Sequence, residues 1–478
     1  MSKPNILVIF TDDQRFDTVH ALGNRNISTP NIDRLVQNGT SFNNAYIMGG
    51  TDTAVCMPSR AMLMTGRTLF HLENSGEHIP EDHIMLGETL GRAGYHCWGT
   101  GKWHNGTESY TRSFQDGADI YFGGGYDHWM VPVHSYDPSG TYPGRISKDM
   151  IPVHQYEPID TYSERVQTYR VPALVEEKIA DHVHAGEHSS NLFASQAADF
   201  ILNYEKEDPF FCYIAFMAPH DPRTTPQEFY DMYPPEKIEI EENFMSQHPF
   251  DNGELDARDE LLVAIPREEF EVKCHIAEYY AMVSHLDSQV GVILDALKAS
   301  DQIDKTIIVF AGDNGIALGR HGLFGKQNLY DHSVHIPMIF CGPGIPNNAV
   351  RESLVYTTDI YPTICDMINI DIPQSVLGKS MTSVIKENEI GPRDYLYHAY
   401  KDIQRAVTYQ GWKLIEYNVQ GVRSTQLFNL TTDPNELSDL FGHPSYSENI
   451  DVMRNKMFQA RREFGDYLEP FAKFWEGF

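Results

Sequence analysis

Two short acidic segments of the sequence have the residue types to bind a divalent cation. Asp12 and Asp13 directly follow one apolar run, and Asp313 and Asn314 follow another. Carboxylate and amide oxygens are hard ligands that suit Ca²⁺, with Mg²⁺ or Mn²⁺ as alternatives. An Asp-Asp pair alone is also typical of a turn or a helix cap, so the prediction depends on the two segments meeting. The sequence therefore predicts a metal site built from both.

A cysteine begins the segment that carries the most specific signal. The segment reads Cys56-Met57-Pro58-Ser59-Arg60-Ala61-Met62-Leu63-Met64-Thr65-Gly66. For a lone cysteine, a buried reduced thiol before an ordinary turn is the common interpretation. Here the pattern Cys-x-Pro-Ser-Arg, followed by Thr-Gly, resembles the signature of the type I sulfatases of the alkaline phosphatase-like superfamily. The resemblance implies that a formylglycine-generating maturation enzyme oxidises Cys56 to an aldehyde, and that Cys56 also adjoins the metal.

The hydrated aldehyde implied by this resemblance carries two hydroxyl groups on one carbon. One hydroxyl can attack sulfur and become sulfated, and the other can then lose its proton and expel sulfate. A serine at this position would instead trap its own sulfate ester. The metal would hold one of these hydroxyls and one sulfate oxygen, and so would stabilise charge as the sulfur–oxygen bond breaks.

The resemblance extends to basic residues elsewhere in the chain. The matching segments are Gly101-Lys102-Trp103-His104, Pro219-His220 and His321-Gly322-Leu323-Phe324-Gly325-Lys326. By this resemblance, Arg60 and Lys102 position the aldehyde hydrate. His104 takes the proton from its second hydroxyl, a role that suits histidine because its unperturbed pKa lies near neutrality. His220 contacts the sulfate and protonates or shields the leaving oxygen, and Lys326 binds the sulfate.

Two further residues and one departure from the family pattern belong to the same segments of the chain. Gln14 is a second candidate near the metal, whereas His321 could equally be structural. Many type I sulfatases have Tyr-Glu-x-x-x-Arg-x-Pro where this chain has Tyr330-Asp331-His332-Ser333-Val334-His335-Ile336-Pro337. An ion pair that needs that arginine cannot be carried over to this chain, and the proposed ligands are unaffected.

The sequence leaves three functional interpretations open. The leading one is a sulfatase that hydrolyses the sulfate ester of an alcohol, on a sugar, an oligosaccharide or another small polar molecule. A phosphonate or phosphate ester hydrolase of the same superfamily is an alternative, because some members use the same aldehyde, metal and histidines on phosphorus. A third is an inactive protein that keeps the fold to bind sulfated glycans; it would lack some of the ligands, and this sequence has them all.

Composition restricts the partners of the protein. The chain has 478 residues and a formal net charge of −30, from 37 basic and 67 acidic residues. Such a charge argues against nucleic acid or an anionic membrane as a general partner, so a sulfate ester must be attracted locally. Six cysteines are spread widely without metal-ligand spacing. We expect all except Cys56 to be reduced core residues.

The N-terminus lacks the features of a signal peptide. Met1-Ser2-Lys3-Pro4 leads directly into a predicted strand, and no apolar run approaches membrane-spanning length. As written, the sequence predicts a cytoplasmic protein. A periplasmic or secreted protein whose signal had been removed would have the same sequence.

The elements that must position these residues follow an α/β pattern. Apolar strand-like runs occur at 5–10, 210–216, 306–310 and 338–340, and helix-period segments occur at 190–204 and 272–297. We predict a central, mostly parallel sheet flanked by helices, which the resemblance identifies as alkaline phosphatase-like. Ligands gather at the carboxyl ends of such strands, where Asp12, His220 and Asp313 fall.

Two domains are expected, a catalytic domain over 1–385 and a small α+β domain with an antiparallel sheet over 386–478. The latter has predicted strands at 395–397, 404–409, 412–417 and 426–429 and a helix at 447–467. Residues 105–188 lack periodicity, and we interpret them as loops that select the substrate. Residues 234–266 are predicted to be a surface insertion or a flap.

Overall fold

Strands and helices alternate through most of the chain. The computed structural model describes residues 3–142, 145–152, 172–178, 180–184 and 186–478. The strands are β1 (Asn5–Thr11), β2 (Gly39–Phe42), β3 (Ala45–Tyr46), β4 (Gly49–Gly50), β5 (His96–Lys102), β6 (Asp116–Tyr121), β7 (Pro132–Val133), β8 (Arg145–Pro152), β9 (Pro172–Lys178), β10 (His182–Val183), β11 (Phe210–Ala215), β12 (Thr306–Gly312), β13 (Met338–Cys341), β14 (Ala349–Arg351), β15 (Val355–Tyr356), β16 (Tyr395–Tyr400), β17 (Gln404–Tyr409), β18 (Trp412–Val419) and β19 (Val422–Asn429). The α-helices are α1 (Pro30–Gln37), α2 (Cys56–Thr65), α3 (Leu86–Arg92), α4 (Glu108–Ser113), α5 (Ser189–Leu202), α6 (Gln227–Tyr230), α7 (Glu269–Ala299), α8 (Asp331–Val334), α9 (Ile360–Met367), α10 (Thr382–Glu387) and α11 (Ser447–Glu463).

Eight strands form the central sheet, in the spatial order β14-β2-β13-β12-β1-β11-β5-β6. The five strands from β12 to β6 are parallel to one another, whereas β13 is antiparallel to both of its neighbours. Every residue of β1, β11 and β12 is buried. β-branched and aromatic side chains suit strands covered on both faces, which is why these apolar runs occupy the middle of the sheet.

Helices cover the sheet on both sides. Leu7 and Ile9 of β1 belong to one hydrophobic cluster, together with side chains of α1, α5 and the 31-residue helix α7. Ile6 and Val8 belong to a second cluster, together with α2, α3 and α9. Alternate residues of a strand point to opposite faces, so one apolar run supplies both cores. The predicted α/β class and mostly parallel sheet are confirmed.

A second sheet, in the order β19-β18-β17-β16-β4, lies near the C-terminus. β16 to β19 form an antiparallel meander, and α11 packs on β17 and β18. The strand at its other edge, β4, comes from the N-terminal part of the chain and pairs in parallel with β16. A Cβ on Gly49 would lie 2.0 Å from the carbonyl oxygen of Ala399, so this close pairing requires glycine.

The irregular stretch predicted at 105–188 contains more regular structure than expected. β6 adds to the edge of the central sheet, and β7 pairs with β10. The interpretation of the stretch as loops was therefore wrong for these segments, because β7 and β10 are only two residues long and β6 contains too few apolar residues to give a clear periodicity. Residues 143–144, 153–171, 179 and 185, which belong to this stretch, lie outside the described residues.

Other predicted features can be compared with the described residues. Residues 234–266, predicted to be a surface insertion or a flap, contain two short 3-10 helices and an isolated β-bridge at Phe244, and Asp259 and Glu260 near the end of the stretch are buried. None of the six cysteines, all of which lie among the described residues, forms a disulfide, and all except Cys341 are buried. No helix among the described residues is both long and apolar enough to cross a membrane. The domain boundary at residue 385 stays a prediction.

Candidate active site

Cys56 is the first residue of helix α2, and all ten residues of this helix are buried. The helix ends at Gly66, which adopts a left-handed conformation with φ of 62° and donates its N–H to the carbonyl oxygen of Met62 at 2.9 Å. A Cβ on Gly66 would meet Val376 at 2.7 Å, so both the turn and the packing favour glycine here. The Thr-Gly of the sequence pattern thus terminates the helix that carries Cys56.

Two basic side chains contact the thiol of Cys56. Its Sγ lies 3.3 Å from Nδ1 of His104 and 3.5 Å from Nζ of Lys102. Burial raises the pKa of the Cys56 thiol to about 11, although Lys102 acts in the opposite direction. The unmodified thiol is therefore protonated at neutral pH, which makes it a poor nucleophile in its own right.

Arg60, one turn further along α2, joins the cysteine helix to the acidic residues. Its Nε donates to Oδ2 of Asp313 at 3.0 Å, and its second terminal nitrogen, Nη2, lies 3.5 Å from Oδ2 of Asp12. The guanidinium also donates to the carbonyl oxygen of Lys102 at 3.2 Å. A fully buried guanidinium with these partners fixes the position of α2 against the ends of the strands.

The two acidic segments meet, as the sequence predicts. Asp12 and Asp13 follow β1, and Asp313 and Asn314 follow the adjacent parallel strand β12. The backbone N–H of Asp13 donates to Oδ1 of Asp313 at 3.0 Å, and Nδ2 of Asn314 donates to Oδ1 of Asp13 at 2.7 Å. Asp13 has φ of 62°, and its carbonyl oxygen accepts from the hydroxyl of Tyr279 at 2.6 Å. Tyr279, on α7, was not predicted from the sequence.

Several oxygens of this cluster are buried without a hydrogen-bond partner. They are Oδ1 of Asp12, Oδ2 of Asp13, Oε1 of Gln14 and Oδ1 of Asn314. Buried oxygens are nearly always paired, so four in one place require an explanation. Ligand atoms of Asp12, Cys56 and Asp313 lie within 4.8 Å of one another, as do those of Asp12, Asp13 and His220. The donor set fits a hard divalent cation.

Charges within the site are balanced between acids and bases. Burial raises the pKa of Asp12, yet the ammonium of Lys102, which donates to its Oδ2, and the guanidinium of Arg60 hold that pKa well below its usual value. Burial and the Asp12 carboxylate together raise the pKa of Asp313 to about 7. A bound cation would favour the ionised form of Asp313, because it adds positive charge beside the carboxylate.

Lys326 brings a further positive charge from a distant part of the chain. Its Nζ lies 2.5 Å from Oδ1 of Asp13, and its side chain is only 3% exposed. Burial lowers the pKa of this lysine, but Asp13 and Cys56 outweigh that effect and hold the pKa well above its usual value. Lys326 is therefore an ammonium inside the site, available to a bound anion.

His220 follows β11. Its ring is positioned by the backbone of Asp221, and its own carbonyl oxygen is contacted by a second histidine, His128. Its Nδ1 lies 2.7 Å from the carbonyl oxygen of Asp221, and its Nε2 lies 3.9 Å from Oδ2 of Asp13. His128 Nε2 lies 3.0 Å from the carbonyl oxygen of His220, and its Nδ1 lies 2.7 Å from the Ser189 hydroxyl. An Nδ1–H donated to Asp221 leaves Nε2 of His220 facing the acidic cluster.

A glycine-rich loop covers both catalytic-candidate histidines. A Cβ on Gly124 would lie 3.3 Å from the ring of His104, and a Cβ on Gly125 would lie 2.7 Å from the ring of His220. The carbonyl oxygen of Gly125 accepts from the hydroxyl of Tyr121 at 3.0 Å, which joins the loop to the end of β6. Side chains on these two glycines would push into the imidazoles, so the backbone itself forms this wall of the site.

Sequence reasoning missed a group of charged residues beside His220. Arg258 forms an ion pair with Asp221 and lies 2.9 Å from Asp259. Asp259 Oδ2 in turn accepts from Gln327, the neighbour of Lys326, at 2.8 Å. These contacts connect the end of the 234–266 stretch to the site. The three charged residues Arg258-Asp259-Glu260 lie in an acidic stretch whose composition is typical of an exposed surface. The sequence therefore did not indicate that Asp259 and Glu260 are buried.

The remaining predicted residues lie at the edge of the site or away from it. Gln14 is buried beside the acidic cluster. His321 stacks on Tyr330 with ring centroids 4.0 Å apart, and its Nε2 lies 3.0 Å from the carbonyl oxygen of Glu436. Of the two roles left open for His321, this geometry favours the structural one. Asp331, in the segment without the family arginine, pairs instead with Lys413 of β18 at 2.7 Å.

Two family models match the chain. The model described as Sulfatase matches residues 4–370, and the model described as N-sulphoglucosamine sulphohydrolase, C-terminal, matches residues 319–463. An arylsulfatase from Clostridium perfringens is 28% identical, with 96% of this chain and 95% of that protein covered. An N-acetylglucosamine-6-O-sulfatase from Bacteroides thetaiotaomicron is 23% identical, with 97% of this chain and 87% of that protein covered.

Solved structures give the same fold. A protein in complex with its substrate D-glucosamine-2-N,6-O-disulfate superposes with a TM-score of 0.71 at 19% identity, covering 99% of this chain and 100% of that chain. The phosphonate monoester hydrolase of Agrobacterium radiobacter superposes with a TM-score of 0.70 at 19% identity, covering 97% and 96% respectively. At these identities the likeness shows a shared architecture, and chemistry must be argued from the residues.

Proposed function

The chain belongs to the sulfatase family and is a sulfuric ester hydrolase, and from this premise we propose that it acts on a carbohydrate sulfate through formylglycine derived from Cys56 and a bound Ca²⁺. The observation that carries the proposal is the set of four unpaired, buried oxygens of the two acidic segments and Gln14, together with the closeness of Asp12 and Asp313 to Cys56. Oxygen ligands alone, in a buried cluster, favour Ca²⁺ over softer ions.

Formylglycine at position 56 is supported by the state of the unmodified thiol. With a pKa of about 11, raised by burial, the Cys56 thiol offers almost no thiolate at neutral pH. The surrounding site nevertheless has the charges and the histidines of a hydrolase. Formylglycine would supply a hydrated aldehyde with paired hydroxyl groups, and the metal would supply fixed positive charge beside them.

The chain's own residues have distinct tasks in this proposal. Lys102 and Arg60 hold Asp12 ionised, and Arg60 also pairs with Asp313 at 2.9 Å and so fixes the helix that presents residue 56. His104, whose Nδ1 lies 3.3 Å from the Cys56 side chain, is placed to accept a proton there. Lys326 contributes the ammonium that attracts the sulfate.

His220 is the candidate acid for the leaving group. Because its Nδ1–H faces the Asp221 carbonyl, its Nε2, in the doubly protonated ring, is the nitrogen available to donate a proton to the oxygen of the departing alcohol. The ring is nearly buried, with a side chain 9% exposed. The glycine loop packs against it and restricts its rotation.

A carbohydrate substrate is supported by the relatives. One curated relative is an N-acetylglucosamine-6-O-sulfatase, and one structural neighbour holds a disulfated glucosamine. The small C-terminal region, which the second family model matches, provides a further point of likeness to an enzyme of sulfated glucosamine. The proposal therefore places an O-sulfated or N-sulfated sugar first among the substrates to be tested.

The decisive experiment combines peptide mass spectrometry across Cys56 with turnover of paired esters. The protein is produced with and without a co-expressed formylglycine-generating enzyme, and 4-nitrophenyl sulfate is compared with 4-nitrophenyl phosphate and a phosphonate monoester. We expect a peptide lighter than the cysteine form by about 18 Da, with sulfate turnover in proportion to the modified fraction. Sulfated monosaccharides are then screened with the converted sample.

Each outcome has a definite meaning. Activity in a sample whose Cys56 is wholly unmodified would overturn the formylglycine mechanism. Preference for the phosphonate over the sulfate would instead favour the alternative hydrolase, since the same ligands could serve phosphorus. If the protein hydrolyses the aryl sulfate but no sulfated sugar, it is a sulfatase whose substrate is not a carbohydrate.

A further inference from the structure

A second group of metal-ligand residues lies at the edge of the central sheet and shares no residue with the candidate active site. It consists of Asp119, His182 and His184, whose ligand atoms lie within 4.8 Å of one another. Nε2 of His182 is 2.6 Å from Oδ1 of Asp119, and Nε2 of His184 is 3.3 Å from the same oxygen. Two imidazole nitrogens and a carboxylate oxygen thus converge on one point.

The backbone of β6 is shaped to present Asp119 to this point. β5 pairs Thr100 with Ala118 and then Gly101 with Ile120, so Asp119 is an extra residue that forms a β-bulge. Its φ is 46°, a left-handed conformation that is unusual for a residue other than glycine. Bulges turn a side chain out of the regular strand alternation, and they occur often at functional positions.

The two histidines are placed by a separate strand pair. His182 of β10 lies opposite Val133 of β7, and the segment then continues to His184. Residues two apart on an extended chain point to the same side, so both imidazoles face Asp119. The neighbouring acid Asp181 is engaged elsewhere, since its Oδ2 accepts from the backbone N–H of Ser135 at 2.8 Å.

The burial of the three side chains differs in a way that suits a metal site. Asp119 is 3% exposed, and its second oxygen, Oδ2, is buried without a hydrogen-bond partner. The side chains of His182 and His184 are 35% and 38% exposed. A buried carboxylate with one unpaired oxygen therefore lies beneath two imidazoles that are open to solvent. Pairing with neutral imidazoles satisfies only one of the two carboxylate oxygens.

We propose that Asp119, His182 and His184 bind Zn²⁺. Two imidazoles and one carboxylate are ligands that zinc accepts in a four-coordinate site, and the open side leaves a position for water. Nitrogen ligands favour a late transition ion over Ca²⁺ or Mg²⁺, so this site and the oxygen-rich cluster of the two acidic segments select different metals. Binding changes no oxidation state: each neutral imidazole binds through Nε2 as the tautomer protonated at Nδ1, so the Nε2 proton leaves to solvent while Nδ1 takes one up.

A bound ion would connect the segment 180–184 to the edge of the sheet. Asp119 lies two residues before Tyr121, whose hydroxyl holds the glycine loop over His104 and His220. The backbone N–H of Trp103 donates to the carbonyl oxygen of Tyr121 at 2.8 Å, which continues the connection to the active-site strand β5. The zinc site would therefore fix the outer wall of the substrate cleft without taking part in the reaction.

The test measures zinc on the whole protein with Ca²⁺ present in excess, so that the oxygen cluster is occupied. Wild type, His182→Ala/His184→Ala and the exposed-histidine control His443→Ala are dialysed against buffered Zn²⁺, and bound zinc is measured by elemental analysis. We expect one Zn²⁺ per chain in the wild type and the control, and an affinity at least tenfold weaker in the double variant. Equal zinc binding by the double variant would overturn the proposal.

A variant of the oxygen cluster and a footprint on the wild type locate the bound zinc. Asp313→Asn should leave the zinc content unchanged; a loss of zinc in that variant, with none in the double-histidine variant, would place the ion in the active site and overturn the proposal. Diethyl pyrocarbonate labelling with peptide mass spectrometry should show Zn²⁺ protecting His182 and His184 and leaving His443 reactive. Unchanged labelling of both histidines would overturn it even if the double variant failed to fold.

Discussion

The Sγ of Cys56 lies 3.3 Å from Nδ1 of His104, whose ring packs against the glycine loop. The cysteine begins a helix and the histidine follows a strand of the central sheet. The contact therefore forms only when this helix packs against the end of that strand. A covalent intermediate formed on residue 56 would have its base already within reach.

Cys56→Ala should abolish turnover and leave the fold intact. The substitution removes one sulfur atom from a side chain that makes two polar contacts, and it removes the proposed aldehyde precursor. We expect kcat for an aryl sulfate to fall at least about 1000-fold, with a thermal unfolding midpoint close to that of the wild type. Full activity in this variant would show that the nucleophile lies elsewhere.

His220→Ala should slow poor leaving groups most. An alkoxide needs a proton as the bond breaks, whereas a nitrophenolate departs without one, so loss of the acid affects the two esters differently. We expect roughly a 100- to 10,000-fold fall in kcat for an alkyl sulfate, in the range of general acid catalysis, and a smaller fall for 4-nitrophenyl sulfate. The measurement is a series of leaving groups of graded pKa with both proteins. Equal losses across the series would assign His220 to binding alone.

Removal of the metal should abolish activity and lower stability together. Without a cation, the unpaired oxygens of Asp12 and Asp13 remain buried beside each other's charge. We expect exhaustive chelation to eliminate turnover and to lower the thermal unfolding midpoint, with both restored by Ca²⁺. Undiminished turnover by protein shown to contain no metal would contradict the proposed site.

Lys413→Met should destabilise the contact between the C-terminal sheet and the rest of the fold. Lys413 is fully buried and lies 2.7 Å from Asp331 and 2.8 Å from Glu436. Removing one member of a buried ion cluster leaves the others uncompensated and costs about 3–5 kcal/mol of unfolding free energy. The exposed pair of Lys379 with Glu463 provides the control, and Lys379→Met should cost less than about 1 kcal/mol. Similar urea unfolding midpoints for the two variants would show that the buried ion cluster contributes no more to stability than the exposed pair.

Acid should destabilise the protein through its buried neutral histidines. Burial lowers the pKa of His285 to about 3, compared with 6.5 for an ordinary histidine. Below pH 6.5 His285 therefore binds a proton in the unfolded chain but not in the folded protein, so the free energy of unfolding decreases as the pH falls towards 3. At pH 5 this residue alone should cost about 2 kcal/mol relative to pH 7.

The variant His285→Gln tests this assignment. It keeps a side chain able to donate to Asn191, which lies 2.7 Å from Nε2 of His285, and it removes the titration. The urea unfolding free energy of the variant should fall less between pH 7 and pH 5 than that of the wild type. His443→Gln, at an exposed position, should leave the difference unchanged. Parallel pH profiles for His285→Gln and wild type would exclude His285 as the cause.

The strands of the central sheet were predictable because their signal is local. The run 5–10 is continuous and apolar, and the observed β1 extends it by one residue to Thr11. The long helix was predicted over 272–297 and spans Glu269–Ala299. Burial on both faces demands apolar residues throughout, so hydrophobicity alone identifies such elements. The predicted helix at 447–467 ends earlier, at Glu463, because a turn containing Gly465 follows it.

Contacts between distant segments could be predicted only where family motifs identified the residues that take part in them. Motifs named the residues at positions 12, 13, 56, 104 and 326 without giving any geometry, and the structure adds their distances. No local pattern indicated that Tyr279 would hold the Asp13 turn or that Arg258 would pair with Asp221. These pairings join residues far apart in sequence, and such contacts leave no periodicity for sequence reasoning to detect.

The strand β4 sets an order of events during synthesis of the chain. It lies only a few residues before Cys56, yet its hydrogen-bonding partner β16 emerges roughly 350 residues later, which takes roughly 20 to 70 seconds at ordinary translation rates. Until then Gly49 and Gly50 have no strand to join, and the helix beside them cannot be fully enclosed. Afterwards the side chain of Cys56 is almost completely inaccessible to another protein. If formylglycine forms at position 56, as proposed, conversion must therefore precede closure of the fold around this cysteine, and the late pairing of β16 leaves time for it during synthesis.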